Sequence, residues 1–305
     1  MSPVSVRRSM VFALAFLALL AASAPAGAAV QVTDGTGRTL TLPALPRRIV
    51  SLVPGVTEML YAIGAEDRLI GRTDFCDYPP AARGKPSVGG TVSPSLEVLV
   101  SLKPDLVVAT SAGNSDETRR QLERLRVPLY LVDPHGLSDV FRTLTRLGAL
   151  TEREARAAEV VAGLEQRVRA VAVRVAARPR PRVLYVVWPE PLIVPGRGAA
   201  VTELIELAGG ESVSADGPEG YPRYSVEAAV ARGPEVIILA RHGAGTAPYA
   251  REKWERFADL PAIRAGRLHG VDGDLFHRFG PRVVDALEIL ARLLHPEAFT
   301  GASLR

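Results

Sequence analysis

The stretch Thr151–Arg178, TEREARAAEVVAGLEQRVRAVAVRVAAR, decides the fold. It holds no proline and a single glycine, and Val161, Leu164, Val168, Val171 and Val175 recur at steps of three and four. That spacing predicts one amphipathic helix of roughly 40 Å at 1.5 Å per residue. Pro179 and Pro181 end it, because proline removes a backbone donor and clashes with the preceding turn. A second strand–helix series follows the stretch, so it joins two units rather than closing one. A helix whose apolar stripe packs on both units holds them nearly rigidly, where a Gly/Ser linker would let them swing.

On either side the hydrophobic pattern alternates. Ile49–Val53, Leu106–Ala109 and Leu129–Val132 are short, β-branched, almost continuously apolar runs, and so are Val183–Val187 and Val236–Leu239. Runs of this kind fit strands buried on both faces of a parallel sheet. Between them fall helical stretches at Val56–Ile63, Leu96–Leu102, Glu117–Leu125, Val201–Leu207, Val226–Ala231 and Val283–Leu294, several stopped by Gly or Pro. The expected fold class is α/β: two similar lobes with parallel-type sheets, 30–150 and 179–305, joined by the 151–178 helix, with a ligand cleft between them.

The two lobes share short patterns in equal register. Ser95-Leu96-Glu97 precedes Pro104-Asp105-Leu106, and Ser225-Val226-Glu227 precedes Pro234-Glu235-Val236 at the same offset. Val56-Thr57-Glu58 with Gly64 is matched by Val201-Thr202-Glu203 with Gly209. Two copies exclude a solenoid and indicate paired lobes.

The first 29 residues read as a cleavable secretory signal peptide: Arg7 and Arg8, an apolar run over Met10–Leu20, then small residues around Ala26-Gly27-Ala28. The mature chain is thus expected to be soluble and periplasmic. The formal charge of +4 shrinks once the leader arginines leave, and the remaining arginines are scattered, so nothing points to nucleic acid. Cys76 is the sole cysteine, which excludes an internal disulfide and suits a buried thiol.

Catalytic and metal chemistries leave little trace. There is no Gly-x-Ser-x-Gly elbow, Walker loop, Gly-x-Gly-x-x-Gly fingerprint or paired-cysteine motif, which leaves an exported hydrolase with an unrecognised site as the enzymatic alternative. His135, His242, His269, His277 and His295 show no ligand spacing, so no metal site is assigned.

Arg48-Ile49-Val50-Ser51-Leu52-Val53-Pro54 with Thr57-Glu58, then Asp77-Tyr78-Pro79-Pro80, Leu96-Glu97, Lys103-Pro104-Asp105-Leu106-Val107 and Gly280-Pro281-Arg282, together with the long helix, resemble the helical-backbone periplasmic substrate-binding proteins of ABC importers. The resemblance covers essentially the whole mature chain. It implies a monomeric, non-enzymatic receptor that delivers a cobalamin-like corrinoid, or alternatively haem or a ferric siderophore, to a permease dimer, with no covalent cofactor. The Cys76–Pro80 stretch leans toward the corrinoid branch, whereas Thr91 and Thr110 stand where corrinoid receptors often present aromatics. The resemblance also implies that Glu97 and Glu227 dock onto permease arginines. As a purely structural matter, each carboxylate also suits the first turn of a helix behind a serine cap.

Ligands of open α/β sheets lie outside the carboxyl ends of the strands. Phe75, Tyr78, Trp188, Tyr221, Tyr224, Phe276 and His277 are the expected cleft residues on that ground, offering broad contact area to a flat macrocycle. Trp254, in a polar segment, is expected to pack locally. The long helix leads us to expect a lobe movement of only a few degrees on binding.

Overall fold

The structure is a computed structural model and describes residues 29–110, 113–242 and 247–299. The leader read from the sequence falls outside these residues except for its last position. Among the described residues, no helix is long and apolar enough to cross a membrane.

Two four-stranded parallel sheets form the framework. The first contains β3 (Ile49–Ser51), β4 (Leu69–Arg72), β5 (Leu106–Thr110) and β6 (Leu129–Val132), in the order β4-β3-β5-β6. The second contains β7 (Arg182–Val186), β10 (Glu211–Ser212), β11 (Val236–Arg241) and β12 (Leu268–Asp272), in the order β10-β7-β11-β12. Counting strands within each lobe, both orders read 2-1-3-4. The repeated sequence patterns therefore correspond to one topology used twice, and the two-lobe α/β fold is present. Buried runs such as Leu106–Ala109 and Val236–Ile238 are at or near zero exposure, as strands covered on both faces require. An antiparallel ribbon of β1 (Val30–Thr33) and β2 (Thr39–Leu42) precedes the first sheet, and a short one of β8 (Trp188–Pro189) and β9 (Leu192–Ile193) follows β7. Strands β4, β10 and β12 carry no long apolar run and are not evident in the sequence.

Helix α1 (Pro54–Ala62) starts on a proline, α2 (Leu96–Ser101) on a Ser95 cap and α3 (Asp116–Arg124) on a Ser115 cap. The first lobe ends with α4 (Leu137–Thr151). The 151–178 helix expected from the sequence is corrected here: it runs over α5 (Glu154–Val175), roughly 33 Å for its 22 residues. Thr151 belongs to α4 and donates its hydroxyl to the Leu147 carbonyl. Glu152 takes a left-handed conformation (φ 59°), and the Arg153 amide bonds back to Gly148. A helix stop built from residues without glycine or proline gives no composition signal, so periodicity ran through it.

The second lobe adds α6 (Ala200–Leu207), α7 (Val226–Ala231), α8 (Ala247–Glu255), α9 (Pro261–Arg264), α10 (Gly273–His277) and α11 (Val283–Leu294). Ser225 caps α7 as Ser95 caps α2, each hydroxyl accepting the amide three residues on. Helix α5 packs against α4 and α11, the final long helix of each lobe, and also touches α6. Its inward residues Leu164, Val171 and Val175 belong to one continuous core that reaches β3, β5 and β6 on one side and β7 and β11 on the other. Burial of that shared core, at roughly 25 cal/mol per Å² of apolar surface, ties the lobes through the helix.

Candidate functional site

The expected cleft lies between the lobes, with a volume of about 460 Å³. That is within the usual range for small-molecule sites. The first lobe contributes Val53 and Pro54 after β3, Thr110 at the end of β5 and Gly113 beyond it, and Asp133 to His135 after β6, with Thr91 from a loop. The second contributes Gly198 to Ala200 at the start of α6, Gly220 and Tyr221 from a loop, and His277 to Phe279 at the end of α10. Nearly all of the first-lobe wall comes from strand ends, because parallel strands all discharge their loops on one edge of the sheet.

The cleft is mostly apolar. Its described lining holds one arginine, Arg278, and that guanidinium already binds two carboxylates: Asp77 at 2.5 Å and Asp274 at 2.6 Å. His277 accepts from or donates to the Tyr185 hydroxyl through Nε2 at 3.2 Å. Burial pushes the His277 imidazole down to about 4, with the neighbouring His242 ring, stacked at 5.2 Å, adding to the effect. At neutral pH it is an uncharged ring. Burial pushes the Tyr221 phenol up to about 12, so it too stays neutral. His135 Nε2 lies 3.1 Å from an Asp133 oxygen at the first-lobe rim.

Beside the cleft, residues of the two lobes interlock. Arg282, directly before α11, makes a bidentate pair with Glu58 of α1 at 2.9 and 2.6 Å and lies 3.7 Å over the Tyr78 ring. Burial raises the Glu58 carboxyl above its ordinary value, against the opposing pull of Arg282. The left-handed Phe279 (φ 46°) sits in the same turn. This turn approaches α1 so closely that a Cβ at Gly55 would collide with the Arg278 carbonyl oxygen, which only glycine avoids.

Of the seven residues expected in the cleft, Tyr221 and His277 line it. Phe75, Tyr78 and Trp188 are exposed but stand outside the lining; Tyr78 is occupied by Arg282, and the Trp188 indole donates to the Glu190 carbonyl. Tyr224 packs against the second-lobe core. Phe276 is wholly buried, with its ring 5.5 Å from Tyr185, and is a core residue: in the short α10, neighbouring positions diverge, and His277 takes the cleft side. Trp254, expected to pack locally, is fully buried with Phe257 beside it. Cys76 is a buried thiol, as expected. Among the described residues, no group of three or more His, Cys, Asp or Glu side chains is placed to hold a metal ion.

Sequence reading missed the small and aliphatic part of the wall, Val53, Pro54 and Gly198 to Ala200. Choosing aromatics after strands overlooked that a close-fitting cleft needs small residues where helices begin at its edge. Glu97 and Glu227 fall at equivalent first-turn positions of α2 and α7, both exposed.

The family model described as "Periplasmic binding protein" matches residues 49–275. The vitamin B12-binding protein of Salmonella typhimurium (strain LT2) is 31% identical over 259 residues, covering 84% of this chain and 94% of that protein. The crystal structure of the periplasmic vitamin B12 binding protein BtuF of Vibrio cholerae superposes with a TM-score of 0.74 at 26% identity, covering 84% of this chain and 99% of the other. A periplasmic heme binding protein from Pseudomonas aeruginosa superposes as well, with a TM-score of 0.76 at 28% identity, covering 86% and 96%. The family consists of substrate-binding proteins of transport systems, so the hydrolase alternative falls away. This chain belongs to the periplasmic binding protein family.

Proposed function

We propose that this protein is the receptor of an ABC importer and that its cargo is a corrinoid. The observation that carries the choice of cargo is the charge of the cleft. Haem brings two propionates and many ferric siderophores are anionic, so each calls for uncompensated cations, the charge-assisted partners that hold such groups best. The one arginine of the described lining is held by Asp77 and Asp274, and His277 is neutral. A macrocycle rimmed with uncharged amides suits apolar walls with a few hydrogen-bonding groups, here Thr91, Thr110 and Tyr221. The vitamin B12-binding relatives support the same reading, and the haem-binding neighbours define its competitor.

The cargo is held between the lobes and passed to a permease dimer, with Glu97 and Glu227 as the docking carboxylates, one per lobe. Their matched, exposed positions suit a twofold partner. The receptor acts as a monomer in the periplasm after loss of the 1–29 leader. The shared core along α5 favours a lobe movement of a few degrees.

Calorimetric titration of the mature chain with cyanocobalamin tests the cargo. We expect saturable one-to-one binding, on the order of micromolar or tighter. Absence of binding to cyanocobalamin together with tight binding of haemin would overturn the corrinoid assignment. Docking is tested separately by uptake of labelled cobalamin in cells that depend on this receptor. Glu97→Ala combined with Glu227→Ala should cut uptake by roughly tenfold or more while binding is unchanged.

A further inference from the structure

The repeated Val-Thr-Glu pattern has a role that neither cargo binding nor permease docking uses. Glu58 of α1 crosses to the second lobe, and its repeat mate Glu203 of α6 crosses to the first. Glu58 meets the start of α11 through Arg282 and lies against Gly280, where an added Cβ would be 2.8 Å from its carboxylate. Glu203 meets the start of α4: its Oε2 accepts the Leu137 amide at 3.0 Å, and a Cβ at Gly136 would collide with it. In each case the glutamate of a lobe's first helix seats on the N-terminus of the other lobe's final long helix, over a glycine. The two contacts are related by the same twofold repeat as the sheets, and the cleft runs between them: Phe279 flanks one, and His135, Ala199 and Gly198 flank the other.

The two contacts differ in strength. Glu58 is 3% exposed and doubly bonded to a guanidinium. Glu203 has a backbone amide and the positive end of α4 as its partners, lies beside Asp139 and Glu206, and borders an open recess of about 320 Å³. A bidentate ion pair shielded from water outlasts a single amide bond at a water-filled recess.

We propose that these glutamates are the two inter-lobe latches of the receptor, and that they are unequal by construction: Glu58–Arg282 is a fixed pivot, and Glu203 on Gly136-Leu137 is the latch that releases. The lobes part on the Glu203 side, and the cleft opens toward His135 and Ala199 while the Phe279 side stays closed. The device needs no bound cargo, so it stands independently of which macrocycle the cleft takes.

Thiol labelling of the ligand-free mature chain tests it. Ala199→Cys places a probe at a position 4% exposed on the Glu203 side, and Val53→Cys one at 9% on the Glu58 side; native Cys76, 1% exposed, sets the background. Adding Glu203→Ala should speed maleimide labelling at the Ala199→Cys site about tenfold and leave the Val53→Cys site within about twofold, as local opening on one side requires. Equal acceleration at both probes, or none at the Ala199→Cys probe, would overturn the proposal. Global unfolding of the Glu203→Ala protein would betray itself by fast labelling of Cys76. In that event Glu203→Gln, which keeps an acceptor but loses the charge, decides: about threefold faster labelling at the Ala199→Cys probe alone supports the latch, and an unchanged or two-sided response refutes it.

Discussion

The two lobes share a strand order and differ in what they build on it. Both sheets read 2-1-3-4, both α2 and α7 start on a capping serine followed two residues later by a glutamate, and both first helices send a glutamate across the interface. Yet the first lobe offers Thr91, Thr110, Gly113 and the Asp133–His135 rim to the cleft, whereas the second offers Tyr221, His277, Arg278 and Phe279. The repeat preserves the framework and the serine-capped first turns that carry Glu97 and Glu227. The residues that line the cleft differ between the lobes. Symmetry is retained in the sheets and the serine-capped helices and abandoned in the wall of the cleft.

This comparison can be broken at its points of contrast. The largest effect is expected at the latches: Glu58→Gln strands the Arg282 guanidinium and should cost about 3–5 kcal/mol in urea unfolding, since one member of a buried pair is left without its counter-ion. Its repeat mate, Glu203→Gln, should cost about 1 kcal/mol, the loss of one charge-assisted amide bond. Equal losses would erase the asymmetry between the lobes.

Next comes His277, the cleft histidine of the second lobe. The folded His277 value of about 4 lies below the ordinary 6.5, so the unfolded chain binds a proton more readily between those values. Stability is therefore lost as pH falls from about 6.5 toward 4, by up to about 3 kcal/mol for this group. Urea midpoints at pH 7.5 and 4.5 should show a smaller drop for His277→Leu than for the parent chain. An identical drop would remove His277 as the cause and leave the carboxylates alone responsible.

The smallest effect sharpens the likeness instead. Ser95→Ala and Ser225→Ala should each cost about 1 kcal/mol, because both hydroxyls accept one otherwise orphaned helix amide. A difference greater than about twofold between them would show that the two capped helices are not equivalent in their lobes.

Much of this framework was legible in the sequence for physical reasons. Strands such as Leu129–Val132 announce themselves because burial on both faces demands unbroken apolar runs, and Val226–Ala231 and Val283–Leu294 are bounded by serine, glycine and proline signals. Two-residue β10 and the mixed run Leu268–Asp272 lack such a signature, because their places in the sheet are set by neighbours already formed. The break at Glu152 escaped because its left-handed turn uses an ordinary glutamate, held by an Arg153 amide bond that no composition rule records. In the site, Tyr221 and His277 were reachable from their loops, but a sequence does not say which way a residue on a single helical turn faces. Phe276 and His277 are adjacent in the chain, and one is core while the other is cleft.

The Glu58–Arg282 pair joins residues 224 positions apart, and that separation bears on how the molecule is made. A chain synthesised as far as Asp272 has all eight strands of the two sheets in hand, yet the first lobe's buried carboxylate still lacks its counter-ion. Arg282, which lies beyond the last strand of the second sheet, thus completes the surroundings of a residue on α1. A product that stops short of Arg282 keeps most of its architecture but carries an unneutralised charge at the lobe boundary, which marks it as unfinished to any protease that samples loosened interfaces.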